Sequence, residues 1–402
     1  MFYRVLEGVR VIECGHFVTA PFCAKILADL GAEVIKIEDP DGGDQSRRRE
    51  PFLNDIPGLE RSGLFLYLNM NKLGITLNLR TTTGRKIFAE LLKSANAFVE
   101  NNPPKKAEEL GISYRHVKEI NPSIVMTSIT PFGQAGPYKD YKNCELINAH
   151  TGGAGYASTR ETDISQEPLK FPARLFSFQA GLSAAAGTMG ALYRQSLTGL
   201  GEHLDVSEQD SVAQNLAFSL LHYCYGKMIP SRTNRLNMAP AHILPCKDGY
   251  VSIGLIQEVQ WQHFLEVMGS PDWGDNELFK DMMSRAQYWD GLKPLIMDWT
   301  MEHTKEEIFR TCQGNNVPVG ALYTTKDILN SKQIASRGFI VEIEHPETGK
   351  LKYPGVPYRF SEAPQEAPVS APLLGQHNEE IYCHRLGYSK LDLVKLKEAN
   401  VI

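Results

Sequence analysis

The opening of the chain does most to limit what it can fold into. The β-branched run VRVIEC (9–14) is followed by PFCAKILADLGA (21–32), whose apolar residues recur at helical spacing, and then by a second β-branched run, EVIKIE (33–38). Strand, helix and strand in that order imply a parallel βαβ unit. Pro21 stands where the helix opens and Gly31 where it closes, matching the asymmetry of helix ends. Further strands are expected at ITLNL (75–79), AFVE (97–100) and SIVMTSI (123–129), with TTGRKIFAELLKSA (82–95) an amphipathic helix between the first two. The fold class is therefore α/β, with a doubly wound sheet.

Beyond about residue 215 the pattern changes. All four tryptophans fall between 261 and 299, on helical stretches such as QWQHFLEVMG (260–269), which points to a separate, mainly helical domain. From about 335 the chain becomes proline-rich (345–375) and reads as an extended segment lying over other domains, before a short closing helix. The formal charge of -5 leaves no basic surplus to attract nucleic acid. Arg4, Glu7, Arg10 and Glu13 interrupt the N-terminus too early for a signal peptide, and the charge-free run Leu175 to Tyr193 is too short and polar to span a membrane. Seven cysteines, spread out and without a C-x-x-C pair, are expected as free thiols in a reducing cytoplasm, with no zinc site.

No GxGxxG follows the first strand; the turn is GHFVTAP (15–21), so a nicotinamide-binding reading loses its main support. P-loop, GxSxG and HExxH motifs are also missing. Cys14 and His16 lie at the end of the first strand, where open α/β sheets bind ligands, although a packed histidine on a turn fits as well. Arg47, Arg48 and Arg49 suit either a phosphate clamp or a solvated loop, and Glu202, Asp205, Glu208 and Asp210 either acid/base pairs or helix-entrance acids. Gly181, Ala184, Ala185, Gly187, Gly190 and Ala191 make one helix that a neighbouring backbone can approach closely.

Several stretches then combine. LEGVRVIE (6–13), ILADLGAEVIKIE (26–38), NMNKLGITLNL (69–79), FVEN (98–101), SITPFGQAGPY (128–138), GALYRQSLTGLGEHLDVS (190–207), CKDGYVSI (246–253) and LLGQHNEEIYCHRLGYS (373–389) resemble, in order and spacing, the class III CoA-transferases, the family of formyl-CoA and carnitine CoA-transferases. The resemblance implies a Rossmann-like large domain (1–215), a smaller mainly helical or α+β domain (216–330), and an extended linker and tail (331–402) that completes the large domain. It also implies two chains interlocked as a dimer. The family's aspartate attacks an acyl-CoA thioester to give a mixed anhydride, and released CoA then attacks the aspartate's own carbonyl. Only a carboxylate can pass through both states.

That aspartate stands four residues before the glycine of the Gly-Leu pair, which is Gly181 here, so its position is Ser177. The nearest upstream carboxylate is Glu167, and Arg174 is placed either to meet a carboxylate from elsewhere or to reach solvent. Of the residues that the resemblance assigns to CoA binding, Asn101, Lys72 and Lys142 match, with Lys105 and Lys106 nearby, whereas basic positions are occupied by Asp39, Pro103 and Glu109. The lid stretch, SIGLIQEVQ (252–260), keeps a single Gly254. The chain is similar to the aspartate-lacking member of the two-subunit succinyl-CoA:benzylsuccinate CoA-transferases of anaerobic toluene breakdown. The expectation is a catalytically silent subunit without a cofactor of its own, partnered by an aspartate-bearing homologue, with CoA thioesters as substrates of the complex. An active homomeric transferase or racemase-like enzyme, and a CoA-binding regulatory protein, are the alternatives.

Overall fold

Six β-rich segments form one parallel sheet: β1 (Arg10–Cys14), β2 (Glu33–Glu38), β3 (Lys72–Thr76), β4 (Ala97–Glu100), β5 (Val125–Thr130) and β6 (Glu202–Ser207), in the order β3-β2-β1-β4-β5-β6. Every pairing is parallel. The computed structural model describes residues 4–157, 167, 171–229, 239–363 and 366–402. They divide into a larger unit, within 4–157, 171–229 and 338–402, and a smaller one, 239–337.

This is the α/β architecture that the βαβ opening implies, with three local differences. Strand β3 begins at Lys72 rather than at residue 75, because register runs from Val34 opposite Lys72 to Glu38 opposite Thr76. The run 202–207, expected as a helix entrance, is the edge strand β6, whose polar residues are tolerated because one side of an edge strand faces water. The helix starts only at Glu208. Within the stretch taken as extended, IVEIEH and GKLKYP pair as an antiparallel hairpin, β10 (Ile340–His345) with β11 (Gly349–Pro354), where alternating apolar residues face Phe65 and Met70.

The principal helices of the larger unit are α1 (Thr19–Asp29), α2 (Thr82–Leu92), α3 (Glu145–Thr151), α4 (Leu175–Thr198), α5 (Glu208–Gln214) and α6 (Ala217–Gly226). Helices α1 and α4 cover one sheet face through Ala24, Leu27, Ala180 and Ala184 against Val11, Val34, Val99 and Val125. Small residues let the two backbones meet: a Cβ on Gly181 would lie 2.8 Å from the Thr19 carbonyl. The other face is filled by Ile87, Phe88 and Leu91 of α2, together with Ile381, Tyr382, Leu396, Val401 and Ile402 from the chain's end. Each such buried side chain contributes about 1.5–3 kcal/mol.

The smaller unit has the antiparallel order β7-β8-β9, from Ala241–Cys246, Gly249–Gly254 and Val319–Ala321. Trp261, Phe264, Leu292, Ile296 and Ile308 from its helices pack on that sheet. Leu255, just past β8, is fully buried and donates its N–H to the Pro240 carbonyl at 2.9 Å, so the stretch expected as a lid is anchored at this residue. Among the described residues, no helix is long and apolar enough to cross a membrane.

Candidate functional site

The strand order reverses between β1 and β4, and in open α/β sheets ligands bind beside the carboxyl ends of the strands at such a switch point. The turn after β1 is tightly determined. Gly15 has no room for a side chain, since a Cβ would lie 2.4 Å from that of Ala20. Asn101, just past β4, clamps the next residue: its Oδ1 accepts from His16 N at 2.8 Å, while its amide donates to His16 O at 2.8 Å and to Thr19 Oγ1 at 2.9 Å. Phe17 follows with φ 72°, and its N–H is held by Asp44 Oδ1 at 2.9 Å.

Beneath that turn lies a buried charge network. Lys72 Nζ donates to Glu13 Oε2 at 2.7 Å, to Pro21 O at 2.8 Å and to Asn69 Oδ1 at 3.0 Å. Lys36 bridges Glu13 Oε1 at 2.7 Å and Asp44 Oδ2 at 2.8 Å. Burial opposes the charge on Glu13, yet the two lysines outweigh it and lower its pKa; burial likewise opposes Lys36, which Asp44 and Glu13 hold charged. The ammonium of Lys72 is thus committed inside the fold.

The other positions that the resemblance links to CoA binding lie in the segments that follow β2, β4 and β5. Asp39 pairs with Arg80 at 2.8 Å, so its negative charge is offset by a residue 41 positions away in the chain. Sequence reasoning missed Arg80, because nothing local links the two. Pro103 is the N-cap of the short helix Pro104–Leu110, and Glu109 is exposed on that helix. Lys142 is exposed and has no carboxylate partner among the described residues. The three consecutive arginines separate: Arg47 is buried between Glu38 and Glu60 and reaches Pro372 O at 3.1 Å, Arg48 is exposed, and Arg49 lies 5.7 Å from the centroid of the Phe17 ring.

Ser177 sits in the first turn of α4, 7% exposed. The helix has no side-chain cap of its own, because its N-cap is Arg174 in a left-handed conformation. Glu145, the first residue of α3, supplies the missing acceptor. Its Oε1 takes the Phe176 N–H at 2.9 Å, while Oε2 takes the Ser177 N–H at 3.1 Å and the Ser177 hydroxyl in a short hydrogen bond. A carboxylate therefore stands at this helix entrance although residue 177 is serine. Nothing in the sequence singled out Glu145, since the contact joins positions 32 apart. Behind it, Glu208 accepts from the Asn148 amide; burial pushes its pKa up to about 7, and the charge of Glu145 adds to that rise. Glu100, at the end of β4, is also raised to about 7 by burial, although Ser128 and Asn102 donate to it. Among the described residues no three His, Cys, Asp or Glu side chains are grouped to hold a metal ion.

The sequence profile of the family described as CoA-transferase family III matches residues 6–378. The chain belongs to CoA-transferase family III. A formyl-CoA:oxalate CoA-transferase from Streptomyces coelicolor is 32% identical, the alignment covering 99% of each chain. A succinyl-CoA–D-citramalate CoA-transferase from Chloroflexus aurantiacus is 31% identical over 99% of this chain and 98% of its own. Among solved structures, a CAIB/BAIF family protein from Brucella suis superimposes with a TM-score of 0.85 at 26% identity, covering 96% of this chain and all of that one. Family III enzymes take CoA thioesters as substrates. The resemblance pairs Ser177, at the entrance of α4, with the family's aspartate, and Glu145 of α3 stands beside it.

Proposed function

We propose that this chain is the non-catalytic subunit of a heteromeric family III CoA-transferase. The complex moves CoA from an acyl-CoA donor such as succinyl-CoA to a dicarboxylic acid such as (R)-benzylsuccinate, and a homologous, interlocked partner supplies the nucleophilic aspartate. The observation carrying this reading is the state of Ser177. Its hydroxyl is donated to Glu145, and an alcohol has no acyl carbon on which CoA sulfur can be carried. Glu145 has both oxygens occupied by donors at a helix entrance, which suits a cap better than an attacking group. A relative named for a succinyl-CoA donor and a dicarboxylic acceptor supports that substrate class. An apolar helix α6 without a buried residue supports a partner chain.

A second reading has one observation in its favour: Glu145 is a carboxylate beside the Ser177 position, so the chain could use it as the nucleophile. One experiment separates the two. The purified chain is incubated with succinyl-CoA and an acceptor acid, then analysed by intact-protein and peptide mass spectrometry for a CoA thioester. The expected result is no adduct on the chain alone, and a one-to-one active complex on co-expression with an aspartate-bearing homologue. A CoA adduct on Glu145 overturns the first reading in favour of the second.

A further inference from the structure

Two arginines share one aromatic ring beside the Ser177–Glu145 pair. The guanidinium carbon of Arg174 lies 4.1 Å from the centroid of the Phe17 ring and that of Arg49 lies 5.7 Å from the same point. The two cations therefore cannot be further apart than those distances together allow. A ring face attracts a cation by about 0.5–2 kcal/mol, which orients each guanidinium but does not neutralise it. Arg4, Arg10, Arg47, Arg80 and Arg385 of the same unit each hold a carboxylate. Neither Arg49 nor Arg174 has one within ion-pair reach among the described residues. Burial lowers the pKa of Arg174 and the charge of Arg49 adds to that, with Glu145 acting in opposition from beyond ion-pair distance. The two cations repel each other, and their forks remain open to an anion.

We propose that Arg49 and Arg174, set on Phe17, form a subsite for one carboxylate of a small dicarboxylic acid. The backbone leading into Phe17 is held by its own N–H on Asp44 and by the His16 backbone on Asn101, which sets where the ring is carried. A guanidinium offers paired donors that match a planar two-oxygen anion. Phosphate is matched by the same forks, and near neutral pH it carries a charge comparable to that of succinate, so Glu145 does not separate the two anions and the phosphate arm of the titration tests the choice of a carboxylate. Only the choice of a dicarboxylic acid rests on the proposed transferase role; the anion subsite itself stands on the geometry. A subunit that carries out no transfer would in this way still bind the acid.

The test is isothermal titration of the full-length chain, without partner and without CoA, using succinate and then inorganic phosphate at low ionic strength. Saturable succinate binding is expected, with phosphate at least about tenfold weaker and Arg49→Gln or Arg174→Gln each weakening succinate about tenfold. Arg49 is exposed, and its contacts with buried Ser46 and Ser62 run through its backbone, which Arg49→Gln keeps, so that variant decides the question even where circular dichroism shows Arg174→Gln to be unfolded. No saturable binding, equal binding of phosphate, or unchanged succinate affinity in Arg49→Gln overturns the proposal. None of these readouts involves a CoA adduct, so failure here is distinct from failure of the subunit reading.

Discussion

Glu145 satisfies three donors that no other side chain among the described residues reaches: two backbone N–H groups of α4 and the Ser177 hydroxyl. Glu145→Ala leaves them buried without an acceptor, and urea denaturation should show a loss on the order of 3 kcal/mol, with Glu145→Gln losing less because it keeps one oxygen. On the proposed reading, Ser177→Asp should not confer transfer on the lone chain, since it sets a second carboxylate against Glu145. Like charges at that range raise one pKa, so the variant should lose melting temperature as pH rises from 5 to 8, where wild type does not lose as much. A related dependence follows from Glu100, raised from 4.5 to about 7. Between those values the folded protein binds a proton that the unfolded chain releases, so stability falls as pH rises through the window. Glu100→Gln should gain on the order of 3 kcal/mol at pH 8 relative to wild type, and it should remove only part of the slope because Glu208 titrates in the same range. The serine was legible in the sequence by its distance from Gly181, and its partner was not. Spacing reports neighbours along an element, whereas the Glu145 contact exists only after α3 has been laid across the entrance of α4.

Among the elements, α6 is an exposed apolar surface: Phe218 is 82% exposed, Tyr225 is 87% exposed, and no residue of the helix is buried. A soluble chain rarely leaves such a face uncovered. Replacing both Phe218 and Tyr225 with Ser should leave the melting temperature of the lone chain unchanged and reduce recovery of the proposed one-to-one complex in native mass spectrometry. The helical and βαβ elements of the first third were readable because burial on both faces leaves β-branched runs that stay recognisable although Glu13, Lys36 and Glu38 interrupt them. Strand β6 and the β10–β11 hairpin were harder to read. Half of their residues face water, so Glu202, Asp205, Glu342 and Glu344 look like loop or helix-entrance acids until a partner strand gives them an alternating role.

At the scale of the larger unit, the core depends on residues from both ends of the chain. Ile381, Tyr382, Leu396, Val401 and Ile402 lie in the same cluster as Ile12 and Phe98. Asn78 N donates to Val401 O at 2.8 Å, and Tyr382 Oη donates to Thr76 O at 2.6 Å. A chain ending at residue 375 forfeits apolar burial on the order of 10 kcal/mol, comparable with the whole margin of an ordinary domain, and should give no soluble folded product by size-exclusion chromatography and circular dichroism.

The balanced quartet of Glu13, Lys36, Asp44 and Lys72 bears on how such chains are recognised. Half of a buried ion cluster cannot be discarded without stranding the rest, so Lys72 is kept by the architecture whether or not any reaction takes place above it. A lineage that gave up chemistry would still display that lysine, and Asn101 with it. Counting either as a token of activity would mistake the masonry for the machine, because both are held in place by the fold itself.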